Sequence, residues 1–228
     1  MIYWLEQTEA DMPEANDWLS AREKVRLNGF RFAKRRADWR LGRWTAKHAV
    51  AICLDLPLHQ QPLSNIEIRS APCGAPEVFF ANKPAAVAIS ITHRSGTAVC
   101  TVALSRSSLG CDLEIIEPRS EAFLEDYFTA EEQALVARMS PAERLRMLAL
   151  LWSGKESALK ALRMGLRLDT RSVIVYPVDD LNTWHPLRVC CSSGQIFDGW
   201  WNHTGHLLRT VVAAPPSTPP VVLNSRPA

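Results

Sequence analysis

A lysine in the middle of an apolar helix face is the feature that most constrains how this chain folds. At about 100° per residue, the segment LWSGKESALKALRMG places its leucines and Trp152 on one arc, with Lys155 at the centre of that arc. Burying an ammonium group without a partner is very costly. Lys155 must therefore either extend along its stem to water or meet a buried anion.

Two more charged residues lie at the edge of the same arc. Glu156 and Lys160 are one helical turn apart, and as an exposed ion pair they would contribute about 0.3 to 0.5 kcal/mol. That simple pair is one interpretation. With Lys155 beside them, three charged groups at one seam favour a second interpretation, a phosphate site with a base next to it.

An acidic pattern precedes this helix in the segment GCDLE. Strand alternation places Asp112 and Glu114 on one face and the residues around them on the other. A solvated strand face is the plain alternative, because acidic residues are common on the outer side of half-buried strands. If Glu156 joined the two, three carboxylates with room for water and phosphate would suit magnesium.

Basic residues form a third pattern between Lys34 and Lys47, interleaved with tryptophans. It fits the charged face of an amphipathic helix, a nucleic-acid patch, or a bidentate arginine clamp for a terminal phosphate monoester. A fourth candidate joins Lys83 with His93, which stands at a strand end beside a glycine turn. There the histidine is either structural or a donor to a phosphate oxygen.

Composition excludes several classes of protein. A net charge of +2 is too small for wholesale nucleic-acid binding. The six cysteines contain no C-x-x-C pair, which favours a reduced cytosolic protein. The acidic N-terminal segment does not resemble a secretory signal, and no apolar run approaches the roughly 20 residues that cross a bilayer. We therefore expect a cytoplasmic protein that binds neither nucleic acid nor membrane.

In each half of the chain a helical stretch is followed by strands, which predicts an α+β protein of two similar lobes. The expected boundaries are an N-terminal lobe at 1–106, a C-terminal lobe at 107–214, and a proline-rich, disordered tail at 215–228. Helices are predicted to begin at Ser20 and at Thr129, where a capping box is present. No internal repeat is visible in the sequence.

Taken together, these segments resemble the Sfp-type 4'-phosphopantetheinyl transferase family over roughly residues 30 to 170. The strongest similarity is to that family's G-x-D-x-E strand, present at Gly110 to Glu114, and to its W-x-x-K-E-[SA]-x-x-K helix, present at Trp152 to Lys160. RRADWRLGRWTAKHA is similar to its early arginine-rich helix and NKPAAVAISITHRSG to its K-P to S-H-S-G segment. Phe128, Thr129 and Glu132 are similar to its F-T-x-x-E element.

The resemblance implies two α/β lobes related by a pseudo-twofold, a 4'-phosphopantetheinyl transferase fold, with coenzyme A bound in the cleft between them. It implies transfer of the phosphopantetheine arm of coenzyme A to a serine of an apo acyl carrier or peptidyl carrier protein. Magnesium would be held by Asp112, Glu114 and Glu156. The phosphate contacts would come from Lys83, His93, Lys155 and Lys160, with Arg35 and Arg43, rather than Arg36 and Arg40, on the ribose phosphate. Glu156 would act as the base, and Lys160 would stabilise the developing charge.

Alternative functions stay open at this point. One is another magnesium-dependent transferase that acts on a nucleotide pyrophosphate, and the other is a non-catalytic module that binds carrier proteins or nucleic acid. The sequence does not distinguish carriers of fatty-acid, polyketide or nonribosomal peptide synthesis. A monomer is expected from the family resemblance.

Overall fold

The computed structural model describes residues 1–105, 107–178 and 183–224, apart from the side chain of Leu166. It divides into two compact units. The first lobe is Met1–Ser107 together with Pro220–Ala228, and the second lobe is Ser108–Pro219. Arg106, the last residue of the predicted N-terminal lobe, and residues 225–228 of the predicted tail lie outside the described residues.

The first lobe packs one long helix against an antiparallel sheet. Its strands are β1 (Ile2–Thr8), β2 (Ile66–Ser70), β3 (Pro76–Phe80), β4 (Lys83–Pro84), β5 (Ala88–Arg94) and β6 (Thr97–Ala103). Its helices are α1 (Ala21–Asn28), α2 (Ala33–Cys53) and α3 (Gln60–Asn65). β6 lies between β1 and β5, while β2, β3 and β4 form a separate small sheet. The core includes Leu5, Val50 and Val102, which join α2 to the larger sheet.

The second lobe repeats this plan with a larger sheet. Its strands are β7 (Ser108–Ile115), β8 (Val173–Pro177), β9 (His185–Cys191), β10 (Ile196–Thr204) and β11 (Leu207–Ala214). Its helices are α4 (Glu121–Tyr127), α5 (Ala130–Ala137) and α6 (Pro141–Ala161). The sheet order is β7-β11-β10-β9-β8, and Leu151, Leu159 and Val212 belong to the core between α6 and the sheet. The predicted α+β fold class is confirmed.

Both predicted helix starts are confirmed, and Ser20 proves to be part of a capping box like Thr129. The Ser20 side chain accepts a hydrogen bond from the backbone N–H of Glu23, and that of Thr129 accepts one from Glu132. In turn, each glutamate carboxylate accepts a hydrogen bond from the backbone N–H of its cap residue. These reciprocal bonds satisfy N–H groups that a helix start otherwise leaves without partners.

In each lobe the capping-box glutamate also forms a buried ion pair with a lysine of the long helix. Glu23 pairs with Lys47 at 2.5 Å, and Glu132 pairs with Lys155 at 2.8 Å. Both lysine side chains are 0% exposed and both glutamates are 3% exposed. The anion that the sequence required for Lys155 is therefore Glu132, supplied by the preceding short helix.

Backbone groups complete both ion pairs. The Lys155 ammonium also donates to the carbonyls of Thr170 (2.9 Å) and Val173, and the second oxygen of Glu132 accepts from the backbone N–H of Val175 (3.3 Å). An ammonium group has three donors, and here all three are used. The pair ties α5, α6 and β8 together.

The first lobe completes its pair in the same way. The Lys47 ammonium donates to the carbonyls of Trp18 (2.9 Å) and Leu63 (3.1 Å), and Glu23 accepts from the backbone N–H of Ile68 (3.1 Å). This pair ties α1, α2 and β2 together. The same interaction thus holds the corresponding elements of both lobes.

This shared ion pair reveals an internal repeat that inspection of the sequence missed. When the sequence is aligned at the two lysines, WTAKHA at residues 44–49 matches WSGKES at residues 152–157. The sheets agree, because Thr101 and Thr210 follow the positive-φ hairpin glycines Gly96 and Gly205 at the same spacing. Few side chains besides the tryptophan and the lysine are shared, so the repeat is clear only in three dimensions.

The tail differs from the expectation of disorder. A last strand, β12 (Val221–Val222), pairs in parallel with β1, and the backbone N–H of Leu223 donates to the carbonyl of Trp4 at 2.7 Å. Leu223 also packs against the first-lobe core. The prolines around it suggested an unstructured segment, but they flank a short apolar stretch that completes a sheet edge.

Three longer strands, β1, β10 and β11, were not predicted. Residues typical of turns interrupt the pattern of β10, among them Gly199. A Cβ atom at Gly199 would lie 2.2 Å from the carbonyl oxygen of Val211. The glycine therefore marks a close approach of two strand backbones rather than a turn. No helix among the described residues is long and apolar enough to span a membrane.

Breaking either buried ion pair should strongly destabilise the protein. We expect Lys155→Met and Lys47→Met each to lower the free energy of unfolding by about 3 to 5 kcal/mol, because each leaves a buried carboxylate without its cation. Denaturant unfolding followed by tryptophan fluorescence measures this. Lys34→Met is the control, since Lys34 is paired with Asp38 on the surface and should cost less than about 1 kcal/mol. Equal losses in all three variants would contradict the prediction.

Candidate functional site

The acidic strand β7 is buried rather than solvated. Asp112 is 5% exposed and Glu114 is 9% exposed. Buried carboxylates are retained where cations or hydrogen-bond donors compensate their charge. The interpretation of GCDLE as an ordinary solvated strand face is therefore wrong.

Lys160 of α6 is one compensating cation. Its ammonium donates to an Asp112 carboxylate oxygen at 2.7 Å and to the Cys111 carbonyl at 3.0 Å. Burial lowers the pKa of Lys160, but the Asp112 carboxylate and the other neighbouring groups, among them Glu156, together outweigh this effect and the pKa is raised. Lys160 therefore stays charged and pairs with the strand, not with Glu156 in an isolated surface pair.

Glu156 lies close to the same strand. Burial raises the pKa of its carboxyl group, repulsion from Asp112 and Glu114 raises it further, and Lys160 opposes the shift. Glu114 has its own cation, since Arg119 approaches it at 3.1 Å. The structure thus gathers the three carboxylates predicted from separate segments into one region of the second lobe.

A glycine brings the helix and the strand together. A Cβ atom at Gly110 would lie 1.8 Å from the backbone oxygen of Ser157 and 2.8 Å from the backbone nitrogen of Ala161. No side chain fits there, so α6 rests directly on the backbone of β7. This contact places Glu156 and Lys160 beside Asp112.

The donor set suits magnesium, although it is not a closed metal cage. Among the described ranges, no group of three or more His, Cys, Asp or Glu side chains is arranged to hold a metal ion. Magnesium, however, commonly takes one or two carboxylates from the protein and completes its shell with water and substrate phosphates. The pKa of Glu156 is raised by burial and by its two carboxylate neighbours, and a nearby cation would relieve that repulsion. Asp112, Glu114 and Glu156 supply the type of oxygen donor that magnesium prefers, but not a complete set of ligands.

Lys155 does not take part in this region. Its ammonium is fully buried and is bound by Glu132 and two backbone carbonyls. A phosphate contact would require breaking that buried pair. The prediction that Lys155 contacts phosphate is therefore wrong, and its role is to hold α6 in place.

The first lobe contains a cavity of about 760 Å³ that is lined by many charged side chains. Arg35, Arg43 and His93 all line it, together with the aromatic pair Phe30 and Trp39. Three further cations in the lining are Arg22, Arg26 and Arg69. The carboxylates of Glu23, Asp38 and Glu67 also lie there, so the wall carries both signs with an excess of cations.

The arginines of α2 separate into two groups. Arg43 stacks over Trp39 at 5.0 Å and Arg35 over Phe30 at 5.6 Å, both at the cavity. Arg40 instead donates to the backbone carbonyls of Pro13 and Glu14, at 2.9 and 3.0 Å. Burial lowers the pKa of Arg43 while the Glu23 carboxylate opposes the shift. A partly desolvated guanidinium in this setting favours an anionic ligand.

One predicted residue lies away from the cavity, and two cavity residues were not predicted. Lys83 is exposed on β4 and lies outside the lining of the cavity. Sequence reasoning missed Arg26, whose guanidinium lies over Phe30 at 5.5 Å, and Arg69, which lies over Phe79 at 4.0 Å. The signal for Arg69 was the alternation of IEIR, which places it on the same strand face as Glu67.

Comparisons with known proteins find a family match and similar solved structures. A search of curated proteins finds no match. One similar solved structure is the Helicobacter pylori holo-[acyl-carrier-protein] synthase in complex with coenzyme A, with 18% sequence identity and a TM-score of 0.36, covering 45% of this chain and 97% of that chain. Residues 108–204, which contain β7 and α6, match the sequence profile of the 4'-phosphopantetheinyl transferase superfamily. The similarity to the 4'-phosphopantetheinyl transferase superfamily thus covers the part of the chain that contains the acidic strand and the helix packed on it.

Proposed function

We propose that this protein transfers the 4'-phosphopantetheine arm of coenzyme A to a serine of an apo acyl carrier or peptidyl carrier protein, as an Sfp-type enzyme that uses magnesium. The observation that carries the proposal is the grouping of Asp112, Glu114 and Glu156 beside Lys160. A cytoplasmic monomer is part of the proposal, as the family resemblance implies.

The cavity of the first lobe is the proposed site for the nucleotide end of coenzyme A. Its volume of about 760 Å³ lies within the range of about 300 to 1,000 Å³ typical of small-molecule sites. Arg35 and Arg43 would bind the ribose 3'-phosphate, because guanidinium groups bind phosphate oxygens in a bidentate way. His93, exposed at the end of β5 in the same lining, would donate to a phosphate oxygen.

Magnesium would be held by Asp112, Glu114 and Glu156. When bound, it would neutralise charge on the oxygens of the coenzyme A pyrophosphate. Lys160 would add a second positive charge, and its raised pKa keeps that charge at neutral pH. Charge stabilisation is the main contribution of a protein to phosphoryl transfer.

Glu156 is the proposed base. A serine hydroxyl is a poor nucleophile at neutral pH, and a carboxylate with a raised pKa is better matched to accept its proton. Glu156 would take this proton directly or through a water molecule. The serine oxygen bonds to the β-phosphorus as the bond from that phosphorus to the bridging oxygen breaks. Adenosine 3',5'-bisphosphate leaves, and its new terminal phosphate carries the electron pair.

Intact-mass spectrometry tests the reaction directly. We expect an apo carrier protein to gain the mass of phosphopantetheine when incubated with the protein, coenzyme A and magnesium. Chelation by EDTA should stop the gain, and added magnesium should restore it. A panel of apo carriers from fatty-acid, polyketide and nonribosomal peptide systems would identify the partner. Salt-dependent nucleic-acid binding without any mass gain would favour a binding module instead.

Replacing the proposed base should abolish transfer without unfolding the protein. Glu156→Gln keeps the size of the side chain but removes its negative charge, so we expect kcat to fall by at least about 100-fold. Glu131→Gln is the control, because Glu131 is exposed on α5. Circular dichroism should show the same fold in both variants. Full turnover by Glu156→Gln would remove the residue from its proposed roles.

The 3'-phosphate clamp predicts a change in substrate preference. Arg43→Gln should raise KM for coenzyme A about 10- to 100-fold, because a charge-assisted hydrogen bond contributes roughly 1.5 to 3 kcal/mol. KM for 3'-dephospho-coenzyme A should change little, since that substrate lacks the contacted group. Arg36→Gln is the control, as Arg36 lies outside the cavity lining. If Arg43→Gln raises KM for both substrates equally, Arg43 does not bind the 3'-phosphate.

A further inference from the structure

Three buried hydroxyl groups form a compact cluster between α6 and β11. The Thr210 hydroxyl lies 2.8 Å from that of Ser153 and 2.7 Å from that of Ser157, and it donates to the Ser153 carbonyl at 3.0 Å. All three side chains are fully buried. A hydroxyl group has one donor and two acceptor positions, so Thr210 uses its full capacity here. We call these three residues the hydroxyl clasp.

The clasp lies next to the proposed catalytic groups. Thr210 is paired across the ladder with Asp112, so both side chains point to the same face of the sheet, where α6 packs. Ser157 directly follows Glu156 in α6, and its backbone oxygen is the atom that touches β7 at Gly110. The clasp therefore fixes the position of α6 along the sheet, so that Glu156 and Lys160 lie beside the acidic strand.

The first lobe supplies an internal comparison. In the repeat, Thr101 stands at the position of Thr210, Thr45 at that of Ser153, and Ala49 at that of Ser157. Within the described part of the chain, the hydroxyl oxygens of Thr45 and Thr101 are buried without a hydrogen-bond partner. The first lobe has the threonines but no clasp.

The first lobe lacks the proposed catalytic residues as well as the clasp. The first lobe has His48 in place of Glu156 and Ile52 in place of Lys160. In the second lobe Thr210 is paired across the sheet with Asp112, whereas its counterpart Thr101 is paired with Trp4. A lobe without the carboxylates and the lysine thus also lacks the clasp. Both long helices are held by the same buried ion pair, so the clasp is not needed merely to attach such a helix to its sheet.

We infer that Ser153, Ser157 and Thr210 are positioning residues for the proposed transfer, which set α6 on β11 so that Glu156 and Lys160 face Asp112. This inference rests on the proposed function. Apolar contacts are non-directional and allow small sliding of a helix on a sheet, whereas hydrogen bonds between buried hydroxyls fix one register. A displacement of about 1 Å is enough to reduce catalysis about 100-fold.

Thr210→Val tests the clasp, because valine keeps the shape of threonine and removes the hydroxyl. We expect kcat to fall about 10- to 100-fold while KM for coenzyme A stays unchanged, since the nucleotide cavity belongs to the first lobe. Thr210→Ser, which restores the hydroxyl, should recover most of kcat. Thr101→Val is the matched control in the first lobe and should retain the kcat of the wild type.

Thermal unfolding gives a readout that does not depend on activity. Thr210→Val leaves two buried serine hydroxyls short of a partner and should lower Tm by a few degrees. Thr101→Val removes a buried hydroxyl that has no hydrogen-bond partner among the described residues, so Tm should stay the same or rise. If Thr210→Val does not fold, the double variant Ser153→Ala with Ser157→Ala should show the same loss of kcat at constant KM.

The outcomes separate this inference from the proposed function. If the wild-type protein modifies no apo carrier, the proposed function is overturned and the inference with it. If the wild type is active and Thr210→Val keeps its kcat, the clasp alone is overturned. A loss of kcat that Thr210→Ser does not recover, or one that Thr101→Val shares, also overturns it.

Discussion

A buried ammonium paired with a buried carboxylate is the interaction on which each lobe depends. Lys155 uses all its donors on Glu132 and two backbone carbonyls, which fixes the rotation of α6 about its own axis. Glu156 is the next residue, so its direction follows from that rotation. The lysine that the family resemblance placed on phosphate therefore contributes indirectly, by turning its neighbour toward β7.

The same frame carries different chemistry in the two lobes. In the first lobe the long helix lines a cavity with arginines, and in the second the matching helix faces two carboxylates of a strand. Both uses leave the buried ion pair untouched. Because the buried ion pair holds the long helix on its sheet, the residues around that pair can differ between the lobes. In this way one fold can carry different functional sites.

Local patterns predicted much of this structure. The capping boxes, the break at Asn28 and the acidic strand follow from short-range rules, and motif spacing brought Glu156 and Lys160 into the proposed site. The helical periodicity showed that Lys155 must reach either water or a buried anion, but it did not show which of the two. Glu132 was visible as a capping residue and as part of the F-T-x-x-E element, but not as the partner of Lys155 and of β8, because those partners lie far along the chain. The cavity contact of Arg26 and the repeat of the ion pair likewise depend on tertiary packing.

The short strand at the C-terminus protects an edge. β12 covers the outer side of β1 at Tyr3 and Trp4. An uncovered strand edge presents free backbone donors and acceptors on which another molecule can add its own strand. Truncation before Pro220 would thus expose the edge of β1 next to the buried Trp4. We expect such a protein to self-associate through this edge before the first lobe unfolds.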